Sequence, residues 1–273
     1  MTVLEFDRVR FDYGGSPVLQ DVSLTIGAGE GVALFGANGA GKTTLTRLAM
    51  ALEHPLAGRV TAAGRLTDGI HPEDLAPVAS YVFQRPEDQL VERTVAEEVA
   101  FGPRRLGWDP ARVEESLGRV LTELGLAGEG GTHPYDLPLP LRRLVALASA
   151  LVTEPRLLLL DEPTSGMDRA TRETVQCVVL DRIGRGTAVL AVTHDPEFAV
   201  ECLDRALVLE SGTIVADEAI GHLLGRDDPN LPLPAVGRVA RGLGLPAEVI
   251  RMNDVARALA NRGRPEDGIS SDQ

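Results

Sequence analysis

The segment GANGAGKTT, from Gly36 to Thr44, matches the spacing G-x-x-x-x-G-K-[ST]. It follows a short apolar run and precedes a helix-forming one, which is the context this spacing needs. Gly36, Gly39 and Gly41 let the backbone curl so that successive N–H groups converge on phosphate oxygens. The following helix adds its positive end. Contacts to a nucleoside triphosphate, ATP, are expected from Gly36, Ala37, Asn38, Gly39, Ala40, Gly41, Lys42, Thr43 and Thr44. Lys42 is placed to bridge the outer phosphates, and the Thr43 hydroxyl to hold Mg²⁺. Lys42 is also the only lysine in the chain; every other basic side chain is arginine. A planar guanidinium cannot replace a compact ammonium inside a tight loop.

A second acidic element, LLLLDEP, ends an apolar run in two carboxylates. Asp161 is placed to join the Mg²⁺ shell, and Glu162 to polarise a water that attacks the γ-phosphate. Three single residues fit around them. Gln84 closes ASYVFQ, where its amide could reach both Mg²⁺ and the attacking water. His194 closes TAVLAVTH, where its imidazole could touch the γ-phosphate. Tyr13 lies ahead of the phosphate loop, where its ring could stack on a purine. Singly, each of the three is also what a polar strand end or a half-buried ring supplies.

The elements that must position these groups are legible from periodicity. TVLEFDRVRFDY and DVSLTI alternate as half-buried strands joined by a Gly-Gly-Ser-Pro turn. GVALFGA reads as a buried strand running into the glycine-rich loop, TTLTRLAMAL as a helix, and GRVTAAGRL as a strand pair. From Pro86 to about Thr153 the character is helical. Thr94 with Glu97 makes a capping box, and Asp109-Pro110 a cap with proline in the first turn. RLLLLDEP, TAVLAVTH and RALVLESGTIVADE return to strand. The expected fold class is α/β, a phosphate-loop nucleotide-binding domain over residues 1–226. In it, a mixed β core is interrupted by a helical subdomain at about 86–153. A Pro/Asn-rich linker begins near Asp227. A small helical extension is expected to 260, and a disordered tail over 261–273.

Composition bounds the partners. The net charge is −13, without a basic block, which argues against a nucleic-acid surface. Cys177 and Cys202 have neither metal nor paired-motif spacing and read as small buried residues in a reducing compartment. Met1 leads straight into strand alternation rather than a secretory leader, and no apolar run is long enough to span a bilayer. Membrane association is therefore expected through a partner.

Taken in order, Tyr13, GANGAGKTT, Gln84, LLLLDEP, SGMD and VTHD resemble the ATP-binding-cassette (ABC) ATPases, over roughly residues 3 to 225. VFQRPEDQL, TVAEEVAFGPRRLG and HPYDL are similar to the energy-coupling-factor (ECF) branch, which includes cobalt and nickel importers. The C-terminal helices are similar to that branch's dimerisation extension. The resemblance implies ATP hydrolysis with Mg²⁺ at a dimer interface. It implies an integral membrane transport subunit as partner, and a peripheral place on the cytoplasmic face of the cell membrane. Cargo would be a vitamin or a transition-metal ion. Ser165 to Asp168 would match the loop that crosses to the opposing subunit.

One stretch departs from the family. Where ABC ATPases carry Leu-Ser-Gly-Gly-Gln ahead of a helix expected here from Arg142, this chain has Leu137, Pro138, Leu139, Pro140 and Leu141. The serine hydroxyl is gone, two N–H donors are removed, and Leu139 stands where a glycine allows close approach. The expected partner is a second ATPase subunit in a homo- or heterodimer, and the altered signature suggests a heterodimer whose other subunit carries an intact one. The same head also serves soluble regulatory or assembly ATPases, and that alternative stays open at this point.

Overall fold

The computed structural model describes residues 1–226, 231 and 233–262. The stretch expected as a linker near Asp227, and residues 263–273 of the expected tail, lie outside the described residues.

The chain opens with two long strands, β1 (Thr2–Asp12) and β2 (Pro17–Gly27), then β3 (Gly31–Phe35) and helix α1 (Lys42–Ala49). Strands β4 (Ala57–Ala62) and β5 (Arg65–Leu66), the short helix α2 (Pro72–Leu75) and β6 (Ala79–Val82) follow. Three helices come next: α3 (Val95–Arg105), α4 (Pro110–Glu123) and α5 (Leu139–Leu151). Then β7 (Leu157–Asp161), α6 (Arg169–Gly184), β8 (Ala188–Val192), α7 (Pro196–Cys202), β9 (Arg205–Glu210) and β10 (Thr213–Ala219) complete the sheets. Helices α8 (Ile220–Gly225), α9 (Ala235–Gly242) and α10 (Met252–Arg262) end the described chain. Residues 261 and 262, assigned from sequence to the tail, thus belong to a helix.

The strands form a four-stranded sheet, β2-β1-β4-β5, and a six-stranded sheet, β10-β9-β3-β8-β7-β6. The first is antiparallel. In the second, β9, β3, β8, β7 and β6 run parallel and β10 is an antiparallel edge. Strands β3 and β8 are apolar and buried throughout, as is β7 up to Asp161, because both faces of the sheet centre are covered. Alternate residues serve different cores: Ala33, Leu158, Leu160 and Ala191 face the helical side, while Val32, Leu34, Leu157, Leu159 and Leu190 face α1 and the four-stranded sheet. Leu34 pairs with Val192 and Asp161 also pairs with Val192, so β3, β7 and β8 end together and the loops leaving them share one edge.

Several local expectations are corrected. Helix α5 starts at Leu139, not Arg142: Pro138 is its N-cap and Pro140 sits in its first turn. Prolines are tolerated there because first-turn N–H groups have no helical acceptor, and their fixed φ suits the helix. The box at Thr94 is half formed. The Glu97 N–H donates to Thr94 Oγ1 at 3.2 Å, but the Glu97 carboxylate takes the Thr94 hydroxyl rather than its backbone N–H. Cys177 is exposed on α6 while Cys202 is buried, so only one cysteine fits the buried reading. Gln84 and His194 lie two residues beyond the ends of β6 and β8 rather than on them. No helix among the described residues is long and apolar enough to cross a membrane.

Candidate functional site

The phosphate loop lies between β3 and α1 and depends on its glycines. Gly36 has φ 151°, and a Cβ there would lie 2.3 Å from the Leu209 carbonyl oxygen. Gly41, the N-cap of α1, has φ 107°, and a Cβ would lie 2.8 Å from Leu19 Cδ2. A side chain at Gly36 would require the backbone at Leu209 to move, and at Gly41 the positive φ itself strains any side chain. Lys42 is buried and turns back over the loop: Nζ donates to the carbonyls of Gly36 at 2.6 Å and Ala37 at 3.0 Å. Burial lowers its pKa, partly offset by the negative charges of Glu162 and Asp161.

A cavity of about 280 Å³ opens at the N-terminus of α1. Asn38, Gly39, Gly41, Lys42, Thr43 and Thr44 line one wall, and Gln84, Asp161, Glu162 and His194 the other. Side chains from four separate segments thus converge on one space. Gly36, Ala37 and Ala40 instead face a second cavity of about 490 Å³ behind the loop, which Asn38, Gly39 and His194 also border. Tyr13 is not part of the first cavity's wall. Its ring is 58% exposed and packs edge-on against Phe11, and its hydroxyl lies 3.3 Å from Thr44 Oγ1.

The two carboxylates differ in support. Asp161 ends β7, paired with Val192 of β8, and is nearly buried. Burial raises its pKa, opposed by a hydrogen bond from Tyr81 and by Lys42. Glu162, the next residue, has φ 50°, in the left-handed region that side chains rarely enter. Its conformation is held at both backbone atoms. Its N–H donates to Val192 O at 2.8 Å, and its carbonyl accepts from Arg143 Nη1 at 3.2 Å. Its side chain accepts the His194 N–H at 3.3 Å. Burial raises the Glu162 pKa as well; the His194 N–H and Lys42 oppose the shift, while Asp161 adds to it.

Reading the sequence did not single out Tyr81, Thr46 or Arg143. Tyr81 Oη donates to Asp161 Oδ2 at 3.1 Å and lies 3.2 Å from Thr46 Oγ1. A tyrosine in a strand and an arginine on a helix are ordinary, so no local signal marked them.

This phosphate loop, followed by a strand-end acid pair in one cleft, is matched by known proteins. The ABC transporter family profile aligns with residues 19–165. A nickel import ATP-binding protein of Rhodobacter capsulatus is 36% identical over 81% of this chain and 91% of that protein. The chain belongs to the ABC transporter ATP-binding family. It is therefore an ABC-type ATPase. A cobalt import ATP-binding protein of Syntrophus aciditrophicus is 35% identical over 94% of this ATPase and 96% of that protein. The structure of cbiO1 of Clostridium perfringens, part of the ABC transporter complex cbiONQ, matches with a TM-score of 0.76. It is 22% identical over 95% of this chain and 99% of that one, which shows the shared fold.

The departure at residues 137–141 has a defined geometry in this ATPase. Leu137 is buried, Leu139 is 42% exposed, and the first helical bond of α5 runs from Arg142 N–H to Pro138 O at 3.0 Å. The Arg142 guanidinium braces the segment by donating to the carbonyls of Tyr135 and Leu137 and to Glu87 Oε1, each at 3.1 Å.

Proposed function

We propose that this ATPase is the energy-coupling subunit of an ECF-type importer. It works as a dimer, with a second ATPase subunit, on the cytoplasmic face of an integral membrane transport subunit. The observation that carries this reading is the convergence of Lys42, Gln84, Asp161, Glu162 and His194 on one cleft. Its support in kind is the length over which the chain resembles proteins named for nickel and cobalt import. A transition-metal ion is accordingly the favoured cargo over a vitamin.

The geometry supports the following roles. The loop amides and Lys42 bind the phosphates of ATP, with the lysine exchanging its two carbonyl acceptors for phosphate oxygens. Tyr13 offers its exposed ring to the purine. Glu162 takes a proton from the attacking water, and its raised pKa gives it more basicity than an ordinary carboxylate. His194 faces the γ-phosphate and holds Glu162 through its own N–H. Gln84, which lines the same cleft, orients the water. The Thr43 hydroxyl, Asp161 carboxylate and Gln84 amide are hard oxygen donors. They would suit a Mg²⁺ ion, which takes oxygen ligands. When bound, Mg²⁺ neutralises charge developing on the phosphates.

Helices α9 and α10 are proposed as the dimerisation extension. The segment from Arg85 to Val91 is the proposed docking face for the membrane subunit. Glu87 is already paired with Arg142 at 3.1 Å, so Asp88 is the cleaner probe of docking. The test is co-expression with its candidate membrane subunit. The chain should sediment with membranes only when that subunit is present, and Asp88→Lys should weaken sedimentation while ATP affinity stays constant. A chain that remains soluble and turns over ATP at the same rate beside every membrane candidate is instead a soluble regulatory or assembly ATPase.

A further inference from the structure

Three polar side chains form a buried chain behind the proposed metal site. Thr46 on α1 is fully buried, and Tyr81 on β6 and Asp161 at the end of β7 nearly so. Thr46 Oγ1 lies 2.9 Å from the carbonyl oxygen of Thr43 and 3.2 Å from Tyr81 Oη. Tyr81 Oη in turn lies 3.1 Å from Asp161 Oδ2. An ionised carboxylate has no proton to give, so the phenol donates to Asp161. The surroundings are apolar: Leu45, Leu48, Leu157 and Leu159 belong to the same core cluster. A hydroxyl in such a place costs stability unless it is paired. Phenylalanine at 81 and valine at 46 would fill the same space without that cost.

We propose that Tyr81, backed by Thr46, is a positioning residue that sets the orientation of the Asp161 carboxylate relative to Thr43. The inference rests on the proposed roles of Asp161 and Thr43 as Mg²⁺ ligands. Asp161 stands at the end of β7, and its carboxylate accepts a hydrogen bond from the Tyr81 hydroxyl at 3.1 Å. Tyr81 occupies one lone pair of Oδ2 and fixes the rotation of that carboxylate. Thr46 lies one helical turn after Thr43, so the chain ties the helix carrying one proposed ligand to the strand carrying the other. Parallel pairing of β6 with β7, with Tyr81 opposite Leu159, places the phenol on the α1 side of the sheet. Partners behind a metal ligand commonly change metal affinity by about 10–100-fold when removed.

The test uses the full chain carrying Glu162→Gln, so that ATP is not consumed, with Mn²⁺ as the probe. Mn²⁺ bound to the protein–ATP complex is read by electron paramagnetic resonance, and ATP binding without metal by equilibrium titration. Tyr81→Phe keeps the ring and its packing on Phe83, whose centroid lies 4.5 Å away. It should lower Mn²⁺ affinity about 10-fold while metal-free ATP affinity holds. Thr46→Val should act in the same direction but less, and the double variant should fall short of the sum. Unchanged Mn²⁺ affinity in Tyr81→Phe overturns the proposal. If that variant does not fold, unchanged Mn²⁺ affinity in Thr46→Val overturns it equally. Asp161→Asn separates the two levels: if it too leaves Mn²⁺ affinity unchanged, Asp161 is not a ligand and the functional assignment itself fails.

Discussion

His194 contacts Glu162 twice: its backbone N–H donates to Oε2 at 3.3 Å, and its imidazole Nε2 lies 3.7 Å from Oε1. The loop after β8 thereby orients the Glu162 carboxylate just beyond β7, and the proposed γ-phosphate contact at His194 would be felt at Glu162. Glu162→Gln keeps the shape and the N–H contact but removes the base. Hydrolysis should slow by about 100-fold or more with ATP binding retained, and an ATP-bound dimer should accumulate. Single-turnover kinetics and size-exclusion chromatography check this. Unchanged turnover beside an intact partner removes Glu162 from the mechanism.

Burial of Glu162 also predicts a cost in stability without nucleotide. Its folded pKa is raised, so the folded chain holds this proton to higher pH than the unfolded chain. The contribution is fully present below the ordinary carboxylate range and is lost as pH rises through the raised value. Calorimetry of nucleotide-free protein should find Glu162→Gln with a higher Tm than wild type at neutral pH. The gap should close below about pH 4, where both states carry a neutral group. A gap of constant size across this range would trace to packing instead.

Lys42, as the sole lysine, makes chemical labelling unusually direct. An amine reagent should modify only Lys42 and the N-terminus, and Mg²⁺ with ATP should protect the lysine. Labelling indifferent to nucleotide contradicts the phosphate-loop assignment. Lys42→Ala should abolish measurable ATP binding, because it removes the charge closest to the outer phosphates.

The α5 N-terminus bears on the homodimer. Among Pro138, Leu139 and Pro140, only Leu139 carries an N–H, and its side chain is exposed where a glycine would allow close approach. Each site of a homodimer should miss hydrogen bonds worth about 1.5–3 kcal/mol apiece. Losing two from the transition state slows hydrolysis by roughly 100-fold or more. The lone chain should therefore bind ATP and turn it over slowly. A partner with an intact signature should rescue it, and Ser-Gly-Gly-Gln rebuilt at 138–141 should raise its activity. Equal turnover of the lone chain and the mixed dimer at equal site concentration contradicts this.

Local order in the chain was enough to read the phosphate loop, the acid pair and the strand–helix succession. Gly36 to Thr44 are contiguous, so their spacing alone marks a tight loop between β3 and α1, while only the tertiary structure showed that Gly36, Ala37 and Ala40 face a second cavity. The leucines before Asp161 show by their run that the strand is covered on both faces. Tertiary structure alone decided what lies behind these groups. Tyr81 meets Asp161 only because β6 pairs beside β7 in one register, and Arg143 reaches the Glu162 carbonyl only because α5 packs across the same sheet end. The start of α5 was likewise undecidable locally: proline opens a helix as readily as it precedes one, and bracing by Arg142 and packing of Leu137 selected the earlier start. Contacts between residues far apart in sequence leave no periodic trace, because each partner alone is an ordinary residue in an ordinary element.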